Sequence, residues 1–166
     1  MKVFKEEQKF TQWWLWVLNI GILLIPIYGI VQQVFYKTPF GDSPMSDTGL
    51  FIFLACMLLF NYFFLVLKLE TTINEKSISY RFFPIQRNTK IILWKNIEKA
   101  YIRKYSPITE YGGWGIKHGA YNVKGNIGLQ LKFKNGKKIL IGTQKIAEIE
   151  RILKTYENKI VNEQTK

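Results

Sequence analysis

"TGLFIFLACMLLFNYFFLVLKLETTI", residues 48–73, runs without a charged side chain as far as Leu67 and then passes, with no linker, into the alternating pattern of a strand. A helix rises 1.5 Å per residue, so about 20 apolar residues cover a bilayer core of roughly 30 Å. Residues 48–67 have that length. A buried helix of a water-soluble core rarely holds more than about 14 apolar positions without a charge, so the run is expected to span a membrane.

Working outward, a second uncharged run precedes this one, from Phe10 to Tyr36. Trp13, Trp14 and Trp16 open it and Phe35 and Tyr36 close it, the amphipathic rings that favour headgroup level. Pro26, Asn19, Gln32 and Gln33 mark a kink, polar contacts between helices, or the water boundary. Glu6 and Glu7 among Lys2, Lys5 and Lys9, with another span following, argue against a cleaved signal peptide. The expected organisation is an N-terminal tail and helical hairpin over 1–67, with spans at about 12–36 and 48–67. A domain over 68–161 and a tail over 162–166 follow.

Cation placement sets the expected orientation. The connecting loop "KTPFGDSPMSD" has one lysine against Asp42 and Asp47, whereas twenty basic and eight acidic residues follow Leu67. Lys and Arg stay cytoplasmic, which places both termini in the cytosol and the loop outside. The formal charge of +12 therefore belongs to the domain, held where anionic lipids present a negative surface. The only cysteine, Cys56, lies in the second span, so no intramolecular disulfide forms.

Within the domain, "KLETTINEKSISYRFFPI" reads as two strands around Asn74-Glu75. "TKIILWKNIEKAYIRKYSP" reads as two more with a corner at Lys95-Asn96, ended by Pro107. "IGLQLKFKNGKKILIGT" alternates Leu129, Leu131 and Phe133 against Gln130, Lys132 and Lys134, and Asn135-Gly136 suits a type I′ hairpin turn. "TQKIAEIERILKTYENKI" places Ile146, Ile149, Leu153, Tyr156 and Ile160 at helical spacing, with Thr143 as the expected N-cap.

Two clusters carry candidate chemistry. Lys132, Lys134, Lys137 and Lys138 gather cations on one hairpin, either as a solvated face or as a contact for anionic headgroups or an acidic partner. In "EYGGWGIKHGAYNVKGN", residues 110–126, Gly112, Gly113 and Gly115 either bend the chain or present amides as an anion nest with Lys117. A dinucleotide fingerprint fails on spacing, and no Walker, G-x-S-x-G or H-E-x-x-H pattern occurs. His118 reads as a solvated loop residue with no second histidine for a metal. Trp114, Tyr111 and Tyr121 are expected to pack the barrel or meet the bilayer interface rather than form a ligand cage.

The element order, with "EYGGWGIK", "AYNVKGNIGLQLKFKNGKK" and "LIGTQ", resembles bacterial membrane proteins in which a pleckstrin-homology-like domain follows a two-helix hairpin. The resemblance implies an α+β membrane protein: a transmembrane hairpin, then a small β-barrel of about seven strands with a C-terminal amphipathic helix. It also implies residence in a bacterial plasma membrane. Lipid-binding members of the wider superfamily carry basic residues between their first two strands; here that turn has Lys76 alone. The expected function is a non-enzymatic interaction module at the cytoplasmic face, without cofactor or metal, that meets anionic lipid or a membrane-protein partner. Nucleic acid is not needed to account for the charge. The alternative is an accessory subunit or enzyme of a membrane transport or envelope complex, with a small anion site at 112–119.

Overall fold

The computed structural model describes residues 3–117 and 119–161, without the side chains of 157–161. His118, Lys2, the Ile160 side chain and the tail over 162–166 lie outside the described residues. The chain forms two units, one of Met1–Phe10 with Leu67–Lys166 and one of Thr11–Val66.

The helical unit contains α1 (Trp13–Ile30), which continues through one π-helical turn at Val31–Phe35, and α2 (Asp47–Val66). Apolar side chains lie all around both helices, and only 6% of the most apolar stretch of α2 is buried, which is not how a core helix sits. Gln33 organises the connecting loop. Its Nε2 donates to the Met45 carbonyl at 2.7 Å and to Asp47 Oδ1 at 2.6 Å, while Gln32 Nε2 donates to the Pro39 carbonyl. Gly29 is required for space, because a Cβ there would lie 2.9 Å from the Phe40 ring.

The other unit begins before the helices. Residues 4–9, expected to be tail, form strand β1 (Phe4–Lys9), which pairs antiparallel along its whole length with β2 (Lys68–Ile73), from Phe4 opposite Ile73 to Lys9 opposite Lys68. The alternation explains it: Phe4, Glu6 and Gln8 point inward and Lys5, Glu7 and Lys9 outward. Strands β3 (Ser77–Phe83) and β4 (Lys90–Leu93) complete a sheet of order β1-β2-β3-β4. The β2–β3 turn is held by Asn74, whose Oδ1 accepts from the Lys76 and Ser77 amides at 2.9 Å.

A 3₁₀ turn at Trp94–Asn96 ends this sheet and redirects the chain into a second one. Trp94 turns inward, donating from Nε1 to the Asn74 carbonyl at 2.9 Å. The second sheet contains β5 (Ile97–Lys104), β6 (Gly115–Lys117), β7 (Ala120–Asn122), β8 (Ile127–Phe133) and β9 (Lys138–Gly142), in the order β5-β8-β9-β7-β6. In place of the expected closed barrel the described residues form two separate sheets, in which β4 pairs with β3 alone and β5 with β8 alone. A short helix, α3 (Pro107–Tyr111), follows β5, and α4 (Ile146–Val161) ends the unit.

Leu69, Ile73, Ile78, Tyr80 and Phe82 of the first sheet and Leu129, Leu131 and Ile141 of the second are buried, together with Ile149, Ile152 and Tyr156 of α4. The rings of Tyr80 and Tyr121 meet at 4.6 Å and those of Trp94 and Tyr156 at 5.6 Å, joining the layers, while Tyr105, Ala120 and Leu140 form a further buried cluster.

Two local expectations change. Asn135 does not take the positive φ of a type I′ turn; only Gly136 does, at +78°, and it closes a three-residue loop with a bulge. Thr143 is not the N-cap of α4, which starts at Ile146. Its hydroxyl donates to Glu6 Oε2 at 2.8 Å and accepts from the Lys145 amide. Glu6 Oε1 also accepts from the Gln144 amide at 2.7 Å, and Gln8 Nε2 donates to the Gly142 carbonyl at 2.6 Å. Buried Glu6 and Gln8 thus fasten β1 to the corner between β9 and α4.

Glu6→Ala removes a charged acceptor from two donors, each such bond contributing about 1.5–3 kcal/mol. Denaturant unfolding of the full chain in detergent should show a loss of at least that order. Lys5→Ala, on the exposed side of the same strand, should lie within about 0.5 kcal/mol of the parent.

Candidate functional site: the outer face of the second sheet

Side chains that face away from the core on the second sheet fall into lateral rows fixed by strand register. One row is Lys99, Lys132 and Lys138, on three adjacent strands. The next is Tyr101, Gln130, Leu140, Ala120 and Lys117, on five. The third begins with Arg103 and continues with Gly128 and Gly142. These glycines leave no room for side chains: a Cβ at Gly128 would approach the Ile141 carbonyl to 2.9 Å, and one at Gly142 would approach Asn122 Cβ to 3.0 Å.

Like charges directly opposite each other on a sheet destabilise it, so a row of three lysines carries a cost. Glu98 relieves part of it. It occupies the irregularity between Ile97 and Lys99, and its Oε1 lies 2.7 Å from Lys132 Nζ. Lys99 reaches over the Tyr101 ring, 5.5 Å from its centroid. Lys138 stands exposed at the end of the row.

Arg103 is fixed from several sides. Its Nε donates to Gln130 Oε1 at 2.9 Å, its Nη2 to the Tyr111 hydroxyl at 2.8 Å, and its Nη1 lies 2.8 Å from Glu110 Oε2. Gln130, buried, donates in turn from Nε2 to the Ile139 carbonyl at 3.0 Å. The amide of Ser106 and the Arg103 guanidinium hold the Glu110 carboxyl below its usual range. Above these rows lies a cleft of about 340 Å³ lined by Tyr101, Arg103, Tyr111, Gly119, Gln130, Lys138 and Leu140.

The four lysines singled out from sequence divide into two pairs. Lys132 and Lys138 face each other on the sheet, whereas Lys134 and Lys137 belong to the exposed loop at the hairpin tip. Lys99, Tyr101 and Arg103 complete the face from β5, and no sequence-local signal joins them to β8 and β9. Their own alternation in "EKAYIRK" was visible; the pairing was not.

The glycine-rich stretch is built differently from an anion nest. Gly112, at φ +68°, ends α3 with its amide on the Ile108 carbonyl, and the Gly113 amide donates to the Pro107 carbonyl at 2.8 Å. The Gly115 amide donates to Asn122 Oδ1 at 2.9 Å. All three amides satisfy the chain itself, and Lys117 is exposed at the far edge of the sheet. Trp114 Nε1 donates to the Gly125 carbonyl at 3.0 Å, and Tyr121 is buried. Among the described residues, no three histidine, cysteine or acidic side chains gather as metal ligands.

Comparison with models of protein families and with curated proteins finds no match for this chain.

The depressed Glu110 value has a consequence for stability. Ionised Glu110 stabilises the fold fully above its ordinary value of 4.5, and that contribution is lost as the pH falls through the lower folded value. The full chain should therefore melt higher than Glu110→Gln at neutral pH, and the gap should close in acid. A constant gap across the titration would contradict this origin.

Proposed function

We propose that the protein is an integral membrane protein whose Thr11–Val66 hairpin crosses the bilayer twice and holds a strand-rich domain against the cytoplasmic surface. The domain works there as a non-enzymatic contact module for anionic headgroups or for membrane proteins with acidic surfaces. Two helices long and apolar enough to span support the anchoring. So does the pairing of β1 with β2, because strands that meet residue for residue belong on one side of a membrane, and an even number of crossings returns the chain there. The uneven distribution of lysine and arginine supports the cytoplasmic side. Strands followed by a closing α4 support a pleckstrin-homology-like assignment.

The observation that carries the contact role is the Lys99, Lys132, Lys138 row. A face that needs only to stay soluble is better served by mixed charges. Cations placed opposite one another at a cost of about 0.2–1 kcal/mol per pair are compensated when an anionic surface approaches. Anchoring raises the local concentration of membrane partners, so individually weak contacts suffice.

A chain in which Asn-Gly replaces Thr11–Val66 joins β1 to β2 through a two-residue hairpin turn and frees the domain from its anchor. It should bind phosphatidylglycerol vesicles in a salt-sensitive manner and ignore phosphatidylcholine vesicles. Replacing Lys99, Lys132 and Lys138 by glutamine together should abolish binding. Equal binding to neutral vesicles, or no effect of the triple change, contradicts the proposal.

A further inference from the structure

The cleft on the outer face differs from a diffuse cationic surface in one respect: among the described residues, every polar side chain that lines it can donate a hydrogen bond, and two are cations. Lys138 brings an ammonium, Arg103 a guanidinium, and Tyr101 and Tyr111 hydroxyls. The acceptors beside them are already engaged, in part by Arg103 itself. Gln130 Oε1 already accepts from Arg103, its Nε2 is turned to the Ile139 carbonyl, and the Gly119 carbonyl accepts from the Leu140 amide at 2.8 Å. Among the described residues no carboxylate lines the cleft. Glu110 reaches Arg103 through Nη1, whereas Nη2 is the nitrogen directed to Tyr111. The Tyr111 hydroxyl, accepting from that nitrogen, retains its own proton to donate.

Leu140 and Gln130 form a buried floor, and about 340 Å³ is room for a phosphate group with a short attached segment. The donors are also held in advance. Arg103 is clamped by Gln130, Tyr111 and Glu110 before any ligand arrives, so little ordering is needed on binding.

We infer that the cleft bounded by Tyr101, Arg103, Tyr111 and Lys138 is a binding site for a single phosphate monoester group, carried either by a lipid headgroup or by a free small molecule. A phosphate monoester dianion offers only acceptors and a negative charge, which two cations and two hydroxyls able to donate complement. The inference deepens the anionic-contact reading of the same face and rests on it, but it differs in predicting a saturable, stoichiometric site.

Calorimetric titration of inorganic phosphate into the full chain in neutral detergent micelles tests it. One saturable site is expected, weakened about tenfold or more by Lys138→Gln, as the loss of a charge-assisted hydrogen bond implies. Lys137→Gln, at the hairpin tip outside the cleft, should leave it unchanged, and acetate should bind more weakly than phosphate. In nanodiscs, phosphatidic acid at a few per cent should suppress the phosphate site if lipid is the source. Persistence of that site assigns it to a soluble phosphate ester; both results support the cleft. Absence of saturable phosphate binding, equal losses in the two lysine variants, or acetate binding as tightly as phosphate overturns it. Phosphate binding without vesicle binding would retain the cleft and reject the bilayer contact; vesicle binding without phosphate binding would do the reverse.

Discussion

The structure depends on one pairing across a long insertion: six residues from before the helices zip onto six from after them, with Lys9 opposite Lys68 at the end where the chain leaves and returns. The pairing is anchored on its inner side by Glu6, which accepts from Thr143 and Gln144, and by Gln8, which donates to Gly142. A carboxylate taken out of water is costly unless its oxygens find donors, and both Glu6 oxygens do. The first strand therefore fastens the β9–α4 corner as well as extending a sheet.

The outer side of the same sheet solves an electrostatic problem created by the register. Glu7 stands opposite Glu70 and Lys9 opposite Lys68, like facing like. Lys68 Nζ settles between the two carboxylates, 2.7 Å from Glu7 and 2.8 Å from Glu70, and Arg81 approaches Glu70 at 2.6 Å. The hydrogen bond and charge of Lys68 draw the Glu7 carboxyl below its ordinary range. On the second sheet the corresponding row of Lys99, Lys132 and Lys138 meets, among the described residues, one carboxylate, that of Glu98. One sheet neutralises its like-charge rows internally, whereas the other leaves a cationic face beside a donor-lined cleft.

Much of this was legible from local pattern. The expected spans 12–36 and 48–67 lie within a residue of α2 at both ends and of α1 once its π-helical turn is counted, and alternation in "KLETTI", "SISYRFF" and "IGLQLKF" identified strands correctly. What escaped depends on contacts between distant residues. The alternation of Phe4, Glu6 and Gln8 is that of a strand, yet two inward positions are polar, so nothing announces burial until Thr143 and Gln144 are in place. Thr143 looked like an N-cap for the same reason: its hydroxyl has a partner 137 positions away that competes for that role. The barrel failed because Trp94 turns inward and a 3₁₀ turn carries the chain from one sheet to the other. Of the candidate site, the lysines of β8 and β9 were visible as neighbours in sequence. Lys99, Tyr101 and Arg103 joined them only through register.

The most direct measurement is oxidative crosslinking of paired cysteines across the insertion in native membranes, in a chain with Cys56→Ala. Lys5 and Thr72 are opposite one another, and such partners have Cα atoms about 4.5–5.5 Å apart, within reach of a disulfide. Lys5→Cys with Thr72→Cys should yield a bridged peptide by mass spectrometry, and Lys5→Cys with Glu70→Cys, out of register, should not. No bridge in the first pair, or equal bridging in both, would contradict a sheet built from the two sides of the hairpin.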